Sequence, residues 1–278
     1  MKRIDYVTAL IAAVAFVSTS PVTAQQPQGP QPYSVGNRVG LPVTPAANGS
    51  FEPVSSNVKV FGAIYSAESC SYDADRGVIV VPNRGVPQNV QTNNAWVSFI
   101  NHDGSVHTAR WVGVQNPPER SSLTPPLVLN EPYGSDIANG KLYVADRDGG
   151  TTPNGTAAIF VQGAPLLQPN GVAFDAQGNV VVVNIGNDEV LTFSPEGRLV
   201  RTEKAAQAGN DGLVIMRDGT KYVSSVVNGG VSRIRSGQPA ELIARNIPSA
   251  ASMCYDAGAN QLVIPMNPNN GLAFIRLR

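Results

Sequence analysis

One unit recurs along the chain: a turn, a short apolar strand, a polar hairpin turn, then a second apolar strand. The clearest copy is Pro169-Asn170-Gly171-Val172-Ala173-Phe174-Asp175, followed by Gly178 and the run Val180 to Val183. Further copies pair Glu68 to Asp73 with Val78 to Val81, and Pro132 to Ala138 with Leu142 to Ala145. Two more pair Asn210 to Met216 with Tyr222 to Ser224, and Ala250 to Asp256 with Leu262 to Ile264. Aligning the residue near the end of each first strand puts Tyr72, Ile137, Phe174, Ile215 and Tyr255 in one column, at spacings of 65, 37, 41 and 40. Such a period constrains the fold more than any single motif, because one unit buries its apolar faces only against its neighbours.

A second hairpin follows within the unit. Trp96 to Trp111 turns at Asn101-His102-Asp103-Gly104, Glu189 to Arg201 at Pro195-Glu196-Gly197, and Val231 to Ile243 at Ser236-Gly237. Four strands per unit of about 40 residues is the arithmetic of a propeller blade. Runs such as Val180 to Val183 are apolar on both faces, as strands held between two stacked sheets must be. Almost no segment after residue 24 keeps a helical period, so an α/β fold is excluded. The expected fold is all-β: a β-propeller of four-stranded antiparallel blades, with five repeats counted. The long first unit places its excess in loops at 84–95 and 113–131. Asn57 to Ile64 is an extra strand, expected to pair with Gly271 to Leu277 and so close the ring from the N-terminal side without leaving an open edge.

The chain ends set the compartment. Lys2 and Arg3, the apolar run Tyr6 to Val17, and Val22-Thr23-Ala24 read as a cleavable export signal over 1–24. The run is shorter than the roughly 20 apolar residues a bilayer span needs. Residues 25–56 are rich in Pro and Gln and read as a flexible spacer, leaving 57–278 for the propeller. Periplasmic or secreted localisation is expected. Removing Lys2, Arg3 and Asp5 with the signal leaves 18 basic against 19 acidic residues. A near-neutral chain without a basic run excludes nucleic acid and anionic membrane as partners, leaving a small-molecule substrate or ligand. Oligomeric state is not legible in the sequence.

In a propeller the innermost strands line a central channel. The position four residues before the aligned column holds Glu68, Tyr133, Asn170, Asp211 and Ala251. Glu68, Asn170 and Asp211 are hard oxygen donors from three different blades, converging on one axis. Calcium takes six to eight oxygens, so three side chains would leave positions for water or substrate. Asn and Asp before Gly also serve as plain turn residues.

Glu68-Ser69-Cys70-Ser71-Tyr72-Asp73, Leu129 to Gly134 before Gly140 to Asp146, Pro169-Asn170-Gly171 and Asn210-Asp211-Gly212 together resemble the gluconolactonase/regucalcin superfamily of NHL-related β-propellers. The resemblance covers the chain from about residue 57. It implies that Glu68, Asn170 and Asp211 bind a divalent metal, calcium first, with zinc or manganese as the other choices. It also implies that Asp211 is the general base of an exported lactone or ester hydrolase. Family members usually show six repeats and a further metal-binding Asn, and neither is found here. Tyr133 stands where a small polar ligand is expected. A non-catalytic propeller that binds a small molecule or protein is therefore the competing reading, since fold does not fix function.

Loops after each second strand open on the channel mouth, which makes Asn83, Arg84, Arg147, Asn184 and Asn228, with Tyr133, the candidates for contacting substrate. His102 and His107 both fall in an outer hairpin, away from inner-strand Ser and Asp residues, which argues against a Ser-His-Asp triad. Cys70 and Cys254 lie on neighbouring inner strands, but Ser71, not Cys70, aligns with Cys254. Residues one step apart on a strand point to opposite faces, so register argues against a disulfide.

Overall fold

The computed structural model describes residues 58–61, 64–84, 92–138, 140–146, 159–267 and 270–278. The expected signal (1–24) and spacer (25–56) lie outside the described residues, as does Arg147. The first strand, β1 (Val58–Phe61), is followed by β2 (Ser71–Asp73), β3 (Val78–Asn83), β4 (Trp96–Ile100) and β5 (Val106–Val112). A five-residue helix, α1 (Pro117–Ser121), leads to β6 (Pro132–Ala138) and β7 (Lys141–Asp146). Next come β8 (Pro169–Phe174), β9 (Val180–Asn184), β10 (Glu189–Phe193) and β11 (Leu199–Lys204). After them run β12 (Asn210–Ile215), β13 (Lys221–Ser225), β14 (Val231–Ile234) and β15 (Glu241–Ala244). The last three are β16 (Cys254–Asp256), β17 (Gln261–Met266) and β18 (Gly271–Arg276).

The chain is all-β. Antiparallel meanders β2 to β5, β8 to β11 and β12 to β15 are each four-stranded, and β6–β7 is a two-stranded sheet among the described residues. The last sheet is β16-β17-β18 with β1 added at its edge, in the register Val58↔Ile275 to Phe61↔Leu272. The N-terminal strand therefore completes the last unit, as its apolar pattern predicts.

The apolar alternation explains how the sheets stack. On β3, Ile79 and Val81 pack with Val263, Leu272 and Phe274 of the last sheet, whereas Val78 and Val80 face Ile137, Leu142 and Val144 of β6–β7. On β17, Val263 faces the first sheet, while Leu262 and Ile264 join Tyr222 and Val231 of the β12–β15 sheet. Val181, Val183 and Val190 meet Leu213, Val223 and Ile234 between β8–β11 and β12–β15. Each fully buried aliphatic side chain contributes roughly 1.5–3 kcal/mol, so these four shared cores hold the sheets face to face. Their order in space is β8–β11, β12–β15, β16–β18 with β1, β2–β5, then β6–β7. Among the described residues no apolar cluster joins the two ends of this series. The outward faces there carry Tyr143 and Phe174, 43% and 47% exposed.

The register argument against a disulfide fails: Cys70 and Cys254 are bonded, with Cα atoms 5.5 Å apart. Side-chain alternation binds only residues inside a regular strand, and Cys70 lies one residue before β2 begins. Its side chain is free to turn toward β16, which lies beside β2. The long 113–131 connection is also more ordered than a plain loop. Asn116 and Glu119 form a reciprocal cap at the start of α1. Buried Arg120 donates to the carbonyls of Gln115, Asn93, Ala95 and Gly113 at 2.7–2.9 Å, pinning the segment that presents Glu131.

Candidate functional site

Asn170 and Asp211 begin neighbouring inner strands, and the glycine after each lets the backbones meet. A Cβ on Gly171 would lie 2.2 Å from the Asp211 carbonyl oxygen, and one on Gly212 would lie 2.7 Å from the Met253 amide nitrogen. Neither dipeptide is a turn; both lie within strands, at register shifts in the pairing of β8 with β9 and of β12 with β13. Asn170 is exposed and donates its amide hydrogen to Asp211 Oδ2 at 3.4 Å. Asp211 is 3% exposed, and its Oδ1 has no hydrogen-bond partner.

Glu68, just before β2, completes the group. Its Oε2 accepts from the amide of Asn267, which follows β17. Asn267 Oδ1 in turn accepts from Arg84 Nη2 at 3.0 Å. Arg84 also donates to the Ser66 hydroxyl and carbonyl, and to the Tyr133 hydroxyl at 2.7 Å. Its guanidinium lies over the Tyr133 ring, 5.0 Å from the centroid, and 3.4 Å from Glu131 Oε1. Tyr133 passes the chain on, donating to Glu131 Oε1 at 3.1 Å. Glu131 is fully buried, and Asp146 fixes it by accepting from the backbone amides of Asn130 and Glu131.

Two carboxylates, Glu68 and Glu131, thus lie within reach of the Arg84 guanidinium, and Asp211 lies within reach of Glu68. Burial pushes the Asp211 carboxyl well above its ordinary range, and the nearby Glu68 charge adds to the shift. Burial also raises Glu68, and Glu131 adds to it, against the opposing pull of Arg84 and Asn267. The effect of the Glu68 charge on Asp211 puts the two carboxyls within electrostatic reach. The set offers hard oxygen donors, a proton acceptor of raised basicity, and a deficit of positive charge.

The remaining sequence candidates are placed elsewhere or spent. Asn83 accepts from the Tyr65 amide and donates to Val81 O and Ser98 Oγ. Asn184 accepts from the Leu167 amide and donates to Pro165 O and Asn187. Asn228 donates to Ala208 O at 2.8 Å. These three staple loops. Arg84 has its donors distributed among protein groups, which makes it the organiser of the cluster. Sequence reasoning missed Glu131 and Asn267 as members. Asn267 had a signal, since it ends the Val-Ile-Pro-Met run of β17 much as Asn83 ends Val-Val-Pro on β3.

The histidines also depart in part from expectation. His102 Nδ1 lies 2.8 Å from Asp256 Oδ2 on inner strand β16, and Gln261 donates to the same oxygen. The ring beside His102 is Tyr72, with centroids 5.9 Å apart. Among the described residues no three Asp, Glu, His or Cys side chains are placed to hold a metal, and the candidate set is two carboxylates with one amide.

The fold defines an all-β, propeller-like protein with a polar cluster where its inner strands begin. No family model and no curated protein matches the chain. Among solved structures it is similar to a gluconolactonase from Xanthomonas campestris, at 17% identity over 80% of this chain and 91% of that one, with a TM-score of 0.43. A putative gluconolactonase matches at 14% identity, 80% and 92% coverage, and a TM-score of 0.44. A catalytically inactive virginiamycin B lyase from Staphylococcus aureus, solved with quinupristin, matches at 11% identity, 80% and 100% coverage, and 0.43. None of these likenesses bears on which reaction the residues of this chain perform.

Proposed function

We propose that this is an exported, metal-dependent hydrolase of a lactone or related ester, built as a five-bladed propeller. The observation that carries it is Asp211 Oδ1, buried and unpartnered beside a second carboxyl of raised proton affinity. An orphaned buried oxygen of this kind costs about 1–3 kcal/mol unless something binds it. A divalent cation fits: Glu68 and Asp211 supply carboxylate oxygen, and Asn170 would offer its amide oxygen in place of the hydrogen it now gives Asp211. Calcium suits an all-oxygen set best; zinc and manganese are the alternatives. The ion, when bound, would polarise the carbonyl under attack.

The chain's own residues do the rest. Asp211 takes a proton from the attacking water, a step its raised basicity favours. Arg84 keeps Glu131 and Glu68 compensated, and Asn267 and Tyr133 fix the orientation of both. Exposed Asn170 leaves the pair open to solvent on one side. Residues 1–24 direct export to the periplasm or beyond, where the disulfide persists. The ring reading rests on the serial stacking of the inner strands.

The competing reading, a non-catalytic binding propeller, is favoured by the exhaustion of Asn83, Asn184, Asn228 and Arg84 in internal hydrogen bonds. One comparison separates the two: divalent-ion titration and hydrolysis of a lactone panel, by the wild type and by Asp211→Ala. A wild type that binds no divalent ion ends the hydrolase proposal. Ion binding that survives Asp211→Ala ends the placement of the site.

A further inference from the structure

Apart from this polar cluster, a concavity of about 430 Å³ opens beside the first sheet, lined among others by Tyr65, Trp96, Arg110, Gln115, Asn116 and Arg120. Its wall is aromatic. Tyr65, 43% exposed, stacks on Trp96 with centroids 6.1 Å apart, and the Arg110 guanidinium lies 4.5 Å from the Trp96 centroid. Its charge is one-sided. Two of the lining residues are arginines and none is acidic. Arg110 has no ion pair among the described residues, and Arg120 at the floor meets only backbone carbonyls. Glu119 nearby is turned to the helix cap, accepting from the Asn116 amide at 3.2 Å. Burial lowers the proton affinity of Arg120, and the nearby Arg110 charge adds to the effect. Amides complete the rim: Gln115 extends from the strand-to-helix connection, and Asn116, whose Oδ1 is taken by the Glu119 amide, keeps its NH₂.

An aromatic face, an uncompensated fork-shaped cation and amide donors match a ring that carries both hydroxyls and an acid group. We propose that this cleft binds a sugar acid, with its pyranose ring on Tyr65, its carboxylate on Arg110 and its hydroxyls on Gln115 and Asn116. The site is independent of the Glu68–Asp211 cluster and of any reaction there.

The test is calorimetric titration of the full chain with glucuronate, glucose and benzoate at low ionic strength. Glucuronate should bind about tenfold tighter than glucose, the usual worth of one charge-assisted pair. Arg110→Gln should remove that preference, Arg110→Lys should restore part of it, and Tyr65→Ala should weaken both sugars. Both side chains are exposed, and circular dichroism of each variant verifies folding. Asp211→Asn should leave glucuronate binding intact. Equal affinity for glucose, a preference for benzoate, no glucuronate binding, or binding indifferent to Arg110→Gln would each overturn the assignment. Loss of glucuronate binding in Asp211→Asn would place the ligand in the polar cluster and overturn it too.

Discussion

Cys70 and Cys254 are joined by a disulfide across 184 residues of chain, tying the strand that opens the first sheet to the strand that opens the last. A cross-link over so long a loop removes much of the freedom of the unfolded chain, and losing a native bridge typically costs about 2–5 kcal/mol. The double variant Cys70→Ala/Cys254→Ala should therefore melt well below the wild type. Equal melting temperatures, with the wild type verified as oxidised, would mean the strand packing alone fixes this junction.

Asp211→Asn keeps the shape of the side chain and removes its charge. Divalent-ion binding and lactone hydrolysis should both be lost. In chelator the variant should be more stable than the wild type, by about 1 kcal/mol, since the orphaned anionic oxygen is relieved. Thermal melts with and without calcium read both effects, and a variant less stable in chelator would contradict the account.

The pH response of ion-free protein follows from the raised carboxyls. Burial lifts both Asp211 and Glu68, each helped by a neighbouring carboxylate. A carboxyl with a raised folded-state pKa stabilises fully below the unfolded value of about 4, and that contribution is lost as pH rises through the folded value. Melting temperature in chelator should fall from mildly acidic toward neutral pH. Calcium should flatten the slope, and so should Asp211→Asn; a slope of opposite sign would refute the charge assignment.

Arg84→Met removes the guanidinium that faces Glu131 and Glu68. Glu131, fully buried and 3.4 Å from Arg84, would lose this ion pair. Breaking a buried pair from one side costs about 3–5 kcal/mol. Denaturant unfolding at neutral pH should show a loss of this size, and a variant as stable as the wild type would contradict it.

Gly171→Ala tests the contact between inner strands. Its Cβ would collide with the Asp211 carbonyl oxygen, forcing β8 away from β12. A loss of about 1–3 kcal/mol and weakened ion binding are expected. Wild-type affinity in this variant would show that the spacing of the two strands is irrelevant to the cluster.

Much of this was legible because the repeat is strict where strands are buried on both faces. The column through Tyr72, Phe174, Ile215 and Tyr255 put Glu68, Asn170 and Asp211 at equivalent strand starts. The structure places Asn170 against Asp211, and Glu68 within electrostatic reach of Asp211. Glu131 was not legible as a member, because its position depends on Arg120 ordering a connection that has no repeat. The disulfide was missed because the alternation rule was extended to Cys70, one residue before β2 begins. Asn83, Asn184 and Asn228 looked like channel residues from the loops they occupy. Their side chains bond instead to loop amides and carbonyls left by the strand ends, which need partners.

The pairing of β1 with β18 sets an order of assembly. The last sheet lacks its edge until Gly271–Arg276 has been synthesised, although Val58–Phe61 emerges near the beginning. A ribosome-bound chain can therefore form its middle meanders early but must hold one strand in reserve until Gly271–Arg276 is made. A truncation of a few residues at the far end should for this reason unlatch the beginning of the domain as well.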